Sequence, residues 1–205
     1  MTSHLNRILR RIPVWVIWLA GLVPLVLLLA DTLAGRLGVE PVRDIEHRLG
    51  RTALYFLIAT LAVTPLLRLT RLNLIRFRQA LGLICFTYAA CHLAAWVVFD
   101  MGLLWSQILR DVIKRPYLIF GMSAFLGLLA LALTSNRWSI RRMGRNWGRL
   151  HRLIYPAAVL AAVHWLWALK VWQSWPLGWL AAILLLLSLR LLRKRPRSGP
   201  SVGTL

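Results

Sequence analysis

Carboxylate side chains are scarce in this chain. Asp31, Glu40, Asp44, Glu46, Asp100 and Asp111 are the only six among 205 residues, against 26 Lys and Arg. None lies in the middle of an apolar run, which argues against a transporter built around intramembrane acids. Cysteine is equally sparse. Cys85 and Cys91 stand six apart in one apolar run, a spacing that forms neither a CxxC site nor a plausible structural disulfide. They read as small packing residues. No GxGxxG and no Walker loop occurs, so nothing announces a nucleotide-binding domain. The long apolar runs do not alternate in polarity, which disfavours a closed barrel.

What remains is apolar length. Hydrophobic residues make up 59% of the chain and mean hydropathy is positive, too apolar for an ordinary soluble domain. A spanning helix needs roughly 20 apolar residues to cross about 30 Å of hydrocarbon. Six stretches qualify, at approximately 14–33, 52–69, 79–99, 117–134, 150–169 and 176–192. The fold class expected is therefore an all-α integral membrane protein, a bundle of six transmembrane helices. The first stretch follows basic residues but is too long for a signal-peptide core, and reads as a retained helix.

The net charge of +20 is not spread evenly. Basic residues gather at alternate ends of the stretches: Arg7, Arg10 and Arg11; Arg68 to Arg78; Arg137 to Arg152; and Arg190 to Arg197. All six acids lie at the opposite ends. The positive-inside rule then places both termini in the cytoplasm. Anionic lipid headgroups account for the charge, and nucleic acid is not expected as a partner. Residues 1–195 read as one membrane domain and 196–205 as a disordered cytoplasmic tail. The mixed-charge stretch 34–51 reads as an outer loop suited to a weakly docking protein. Trp96, Trp105, Trp165, Trp167, Trp172, Trp175 and Trp179 gather at the outer ends of the spans, as in an interfacial belt.

Within these runs stand three histidines. Gln79 to His92 is thirteen residues, and so is His151 to His164, roughly 20 Å along a helix. His92 and His164 are thus expected level with each other, nearer the outer face. His151 belongs near the cytoplasmic face, level with Gln79 and Arg78. Two imidazoles at one depth suit the axial positions of a haem, leaving no open coordination site and favouring electron transfer over oxygen binding. The alternative for each is a hydrogen bond between helices. Thirteen residues leave 220° of rotation beyond whole turns, so His151 and His164 do not share an ideal helical face. Pro156 between them is a candidate kink. His151 is read as a ligand of a second haem, a contact to a propionate or flavin, or an interfacial residue. Arg78 is a candidate for a propionate or flavin phosphate, or an ordinary snorkelling anchor. His4 and His47 read as solvated.

Two other classes fit parts of the chain. Gly121-Met122-Ser123-Ala124 loosely resembles the nucleophile motif of intramembrane serine proteases, with His164 on the next span as base. That pairing requires contact at about 2.6–3.2 Å, and Ser123 is also explained by close helix packing. A small transporter is the other alternative.

Three stretches carry a family resemblance: RQALGLICFTYAACHLAAW around His92, RPYLIFGMSAFLGLLALALTS over 115–135, and WGRLHRLIYPAAVLAAVHWLW around His151 and His164. The chain resembles, over roughly residues 8–195, the MsrQ (formerly YedZ) family of haem-binding membrane subunits, in the ferric-reductase-like transmembrane group that includes the NADPH oxidases. The resemblance implies a multi-pass protein of the bacterial inner membrane. In that family electrons pass from the quinone pool or a cytoplasmic flavin reductase, through haem b, to a periplasmic molybdenum-cofactor subunit that reduces methionine sulfoxide in proteins. FMN is a further cofactor implied by the resemblance. It matches His92 and His164 to axial histidines and His151 to a further haem-binding histidine. Gln79 stands where the four-histidine pattern of the oxidases would place its first histidine, so one complete pair is supplied and a second haem stays open.

Overall fold

In a computed structural model that describes residues 2–169 and 174–191, the regular structure is entirely helical. The tail at 196–205, Trp172, and the Arg193 to Arg197 cluster lie outside the described residues. A short amphipathic helix α1 (Thr2–Arg11) precedes α2 (Val14–Leu33). Then come α3 (Pro41–Thr70), α4 (Arg78–Ala95), α5 (Trp105–Lys114) and α6 (Pro116–Leu133). Two short helices, α7 (Arg137–Met143) and α8 (Arg145–Leu150), lead to α9 (Ile154–Ala168) and α10 (Ser174–Leu191). Four helical stretches are long and apolar enough to cross a membrane: Val14–Leu33, Pro41–Thr70, Ile75–Asp100 and Pro116–Leu133. Helix α9, with 15 residues, and the apolar part of α10, Pro176–Arg190, are shorter.

The second apolar stretch differs from expectation at its N-terminal end. Much of 34–51, read as a loop, is the first third of the 30-residue helix α3. Pro41 fits the first helical turn, where its missing N–H costs nothing. Arg48 then pairs with Asp44 one turn back at 3.0 Å and with Asp31 of α2 at 2.7 Å. This polar extension carries Glu46, His47, Gly50 and Arg51 to the end of the bundle opposite the Arg-rich loops.

Pro156 also acts differently from a kink. It lies in the first turn of α9, where no helical hydrogen bond is lost. The preceding residues His151–Leu153 form a separate 3₁₀ turn. His151 is thus not on the same continuous α-helix as His164, and the 220° phase does not apply to it.

Helices α3 and α4 pack as one pair and α6 and α9 as another; α10 lies against α3 and α9. Their shared core includes Leu57, Leu61, Cys85, Leu128, Ala158 and Ile183. In lipid, where apolar surface gains little by leaving the acyl chains, close contact between small residues matters most. Ala157 reaches within 3.3 Å of where a Cβ on Gly127 would sit. Cys85 is buried in this core and Cys91 partly so, both as free thiols. Helix α2 is fixed to α4 by Tyr88, whose hydroxyl donates to the Gly21 carbonyl at 2.7 Å.

A proline explains the contact between α3 and α10. Pro65 has no N–H, so the Leu61 carbonyl one turn earlier loses its helical donor. Arg190 of α10 supplies the replacement, donating from Nε to Leu61 O at 2.9 Å and from Nη2 to Thr60 O at 3.0 Å. Arg68 returns the bond, reaching the carbonyls of Leu189 and Arg190.

Candidate functional site

Each of the two helix pairs presents one histidine by the same device. On α4, His92 Nδ1 lies 2.9 Å from the Glu46 carbonyl of α3. On α9, His164 Nδ1 lies 2.8 Å from the Tyr117 carbonyl of α6. A carbonyl only accepts, so Nδ1 carries the proton in both rings and Nε2 keeps its lone pair. That is the tautomer a metal-ligating imidazole requires, oriented by an outer partner.

A glycine lies four residues beyond each carbonyl. A Cβ on Gly50 would sit 3.3 Å from His92 Nδ1, and a Cβ on Gly121 only 2.7 Å from His164 Nδ1. Both glycines open the helix surface where a ring must lie flat against it. The Gly121 site admits no side chain without displacement.

The two rings come together from opposite pairs with centroids 6.3 Å apart. A metal–imidazole bond is about 2.0 Å, so two imidazoles facing one metal from opposite sides hold their centroids roughly 6 Å apart. Among the described residues no group of three or more His, Cys, Asp or Glu could hold a metal ion. Two histidines alone do not complete a coordination shell, so the remaining donors must come from the occupant. A porphyrin brings four.

The surrounding space fits such a group. A cavity of about 660 Å³ is lined at depth by Leu54, Leu57, Cys85, Ala124, Leu128 and Ala161. Its rim carries Arg43, Glu46, His47, Arg51, Asp100 and Arg115. Arg43 is paired with Glu40 at 2.9 Å and Arg115 with Asp111 at 3.1 Å. Arg51 bonds only to the His47 carbonyl one turn back, at 3.3 Å, so no carboxylate among the described residues neutralises it. Glu46 Oε1 is buried without a hydrogen-bond partner among the described residues. The wall therefore offers apolar faces for a ring and a cation for an acidic edge.

His151 lies at the other end of the bundle. Its ring stacks on Trp147 with centroids 3.8 Å apart, and Nε2 is 3.1 Å from Thr134 Oγ1. The Thr134 hydroxyl also bonds the Ala130 carbonyl at 2.7 Å and can donate its single proton there. Gln79 Nε2 donates to the adjacent Ser135 carbonyl at 2.6 Å, so Gln79 and His151 share one level. Arg78 opens α4 at this end and is not part of the cavity wall.

His47 is exposed, as expected, and stands at the cavity rim, while Trp96 and Trp165 line the cavity wall. Ser123 is exposed on α6 and outside the cavity wall, while His164 Nδ1 is engaged by Tyr117. The serine-hydrolase pairing is not formed.

Comparison with known proteins agrees with this geometry. The family described as "Ferric reductase like transmembrane component" matches residues 49–162. Curated relatives from Brucella ovis, Brucella canis and Brucella suis are each 45% identical over 179 residues, covering 87% of this chain and 81% of theirs. Each is named "Protein-methionine-sulfoxide reductase heme-binding subunit MsrQ". No solved structure matches the chain. By both the matched domain and the extent of identity, the chain belongs to the MsrQ family of the ferric-reductase-like transmembrane group.

Proposed function

We propose that the chain is the membrane haem b subunit of a protein-methionine-sulfoxide reductase system, with His92 and His164 as axial ligands. The observation that carries this reading is the doubled anchoring of the two rings. Each Nδ1–H is held by a carbonyl of the partner helix, with the ring centroids 6.3 Å apart inside the same cavity. His92 and His164 would hold the haem iron through neutral imidazoles, and the bound group would supply one-electron transfer with no coordination position left open. The chain's own residues exclude water from the ring faces and fix the ligand tautomers. Arg51, paired with no carboxylate among the described residues, is placed to neutralise a propionate at the rim.

In this reading the protein spans a bacterial inner membrane six times with both termini cytoplasmic, residues 1–195 forming one domain. The segregated charges support that orientation. Electrons leave at the outer rim toward a periplasmic reductase subunit with a molybdenum cofactor. They enter from quinone or a cytoplasmic flavin reductase at the Arg-rich end, where Arg78 and His151 are the residues available to an FMN or a second haem.

Haem content of purified variants tests the assignment. His92→Ala and His164→Ala each lose most haem while still inserting in the membrane. His151→Ala, remote from the cavity, keeps the haem of the His92–His164 pair. Full haem occupancy in either His92→Ala or His164→Ala overturns the ligand pair.

A further inference from the structure

Helix α5 has ten residues, about 15 Å of helix, too short to cross a bilayer. It follows the outer end of α4 through Gly102 and Leu103, both at positive φ (54° and 62°). At 100° per residue its surface divides into three strips. Ile108, Asp111 and Val112 are half-buried against the protein, and Asp111 pairs with Arg115 at the head of α6. Trp105, Leu109 and Ile113 recur at four-residue spacing and are 70%, 64% and 68% exposed. Arg110 and Lys114 form an exposed cationic strip beside them.

An apolar stripe of this kind is not left in water without an occupant. Two observations identify one. The exposed stripe continues along the chain into exposed apolar residues of two spanning stretches, Val98 and Phe99 before it and Ile119 after it. On α5 itself two cations run beside the stripe, and the helix's one acid, Asp111, is half-buried in its pair with Arg115, the pattern that meets lipid phosphate above acyl chains.

We propose that α5 lies in the plane of the membrane, on the face opposite the Arg-rich loops. Trp105, Leu109 and Ile113 sit in the headgroup–acyl boundary, with Arg110 and Lys114 on lipid phosphates. The helix is joined directly to Arg115 and Tyr117, and the Tyr117 carbonyl orients His164. The lipid surface thereby holds the rim of the cavity. The inference rests on the membrane reading and not on the cofactor.

The test uses the full chain in vesicles of phosphatidylcholine and phosphatidylglycerol, with Cys85 and Cys91 replaced by Ala. Spin labels are placed singly through Leu109→Cys, Ile113→Cys and Lys114→Cys. Labels at 109 and 113 are expected to be relaxed by oxygen and to be several-fold less accessible to an aqueous nickel chelate than the label at 114. Nickel access at 109 and 113 equal to that at 114 would place α5 in water, as a surface for a soluble protein, and overturn the proposal. Shielding of 109 and 113 from both reagents would show a protein cover and overturn it equally.

Discussion

At the scale of single residues, the two glycines distinguish a shaped site from a pair of histidines that happen to be near. A methyl group at Gly121 would press within 2.7 Å of the His164 ring, whereas one at Gly50 would stand 3.3 Å from His92. A contact at 2.7 Å forces a shift of the ring or of the helix; one at 3.3 Å needs only a few tenths of an ångström. Gly121→Ala is therefore expected to lose most haem and to disturb the haem spectrum, with Gly50→Ala retaining nearly all of it. Equal haem content in the two variants would contradict the close approach at Gly121. The histidines themselves were legible in the sequence because ionisable groups in apolar runs stand out. The glycines were not, since small residues are common in membrane helices for packing alone. A signal did exist: Glu46 and Gly50, and Tyr117 and Gly121, have the same four-residue spacing. The glycines precede their histidines by 42 and 43 residues.

At the scale of elements, α3 and α10 are joined where a helix would otherwise be weakest. Pro65 strips one donor from the backbone, and Arg190 restores it from the neighbouring helix. Hydrogen bonds from a charged donor are worth roughly 1.5–3 kcal/mol, so Arg190→Leu is expected to destabilise the bundle by about 2 kcal/mol. Pro65→Ala returns an N–H to the Leu61 carbonyl, and in that background the Arg190→Leu loss should shrink by about 1 kcal/mol. Thermal unfolding of the four proteins of this cycle measures the coupling. Strict additivity would contradict the role given to Arg190. Six apolar stretches were legible from composition, and helices occupy all six. The extension of α3 through 41–51 was not, because its polar residues resemble a loop until Arg48 is seen bridging Asp31 and Asp44. Nor was the break before α9, since Pro156 reads as a kink unless the helix start is known.

At the scale of the whole molecule, the chain has two chemically different ends. One holds a cavity with an apolar depth and a charged rim, where two helix pairs each contribute a ring. The other holds Gln79, Thr134, Trp147 and His151 in a hydrogen-bonded and stacked cluster. Equal thirteen-residue spacings underlie both levels, which is why depth is legible in the sequence. Lateral arrangement could not: which helices face each other depends on packing among near-featureless apolar surfaces. In the proposed reading, the cavity between the pairs is a bis-imidazole haem site. A reduced-minus-oxidised visible spectrum of the detergent-purified chain, with haem quantified per chain, tests it most directly. The expected result is a sharp low-spin b-type spectrum at a stoichiometry of at least one haem per chain. A colourless protein purified from haem-replete cells, or a high-spin spectrum with an open coordination position, would contradict it.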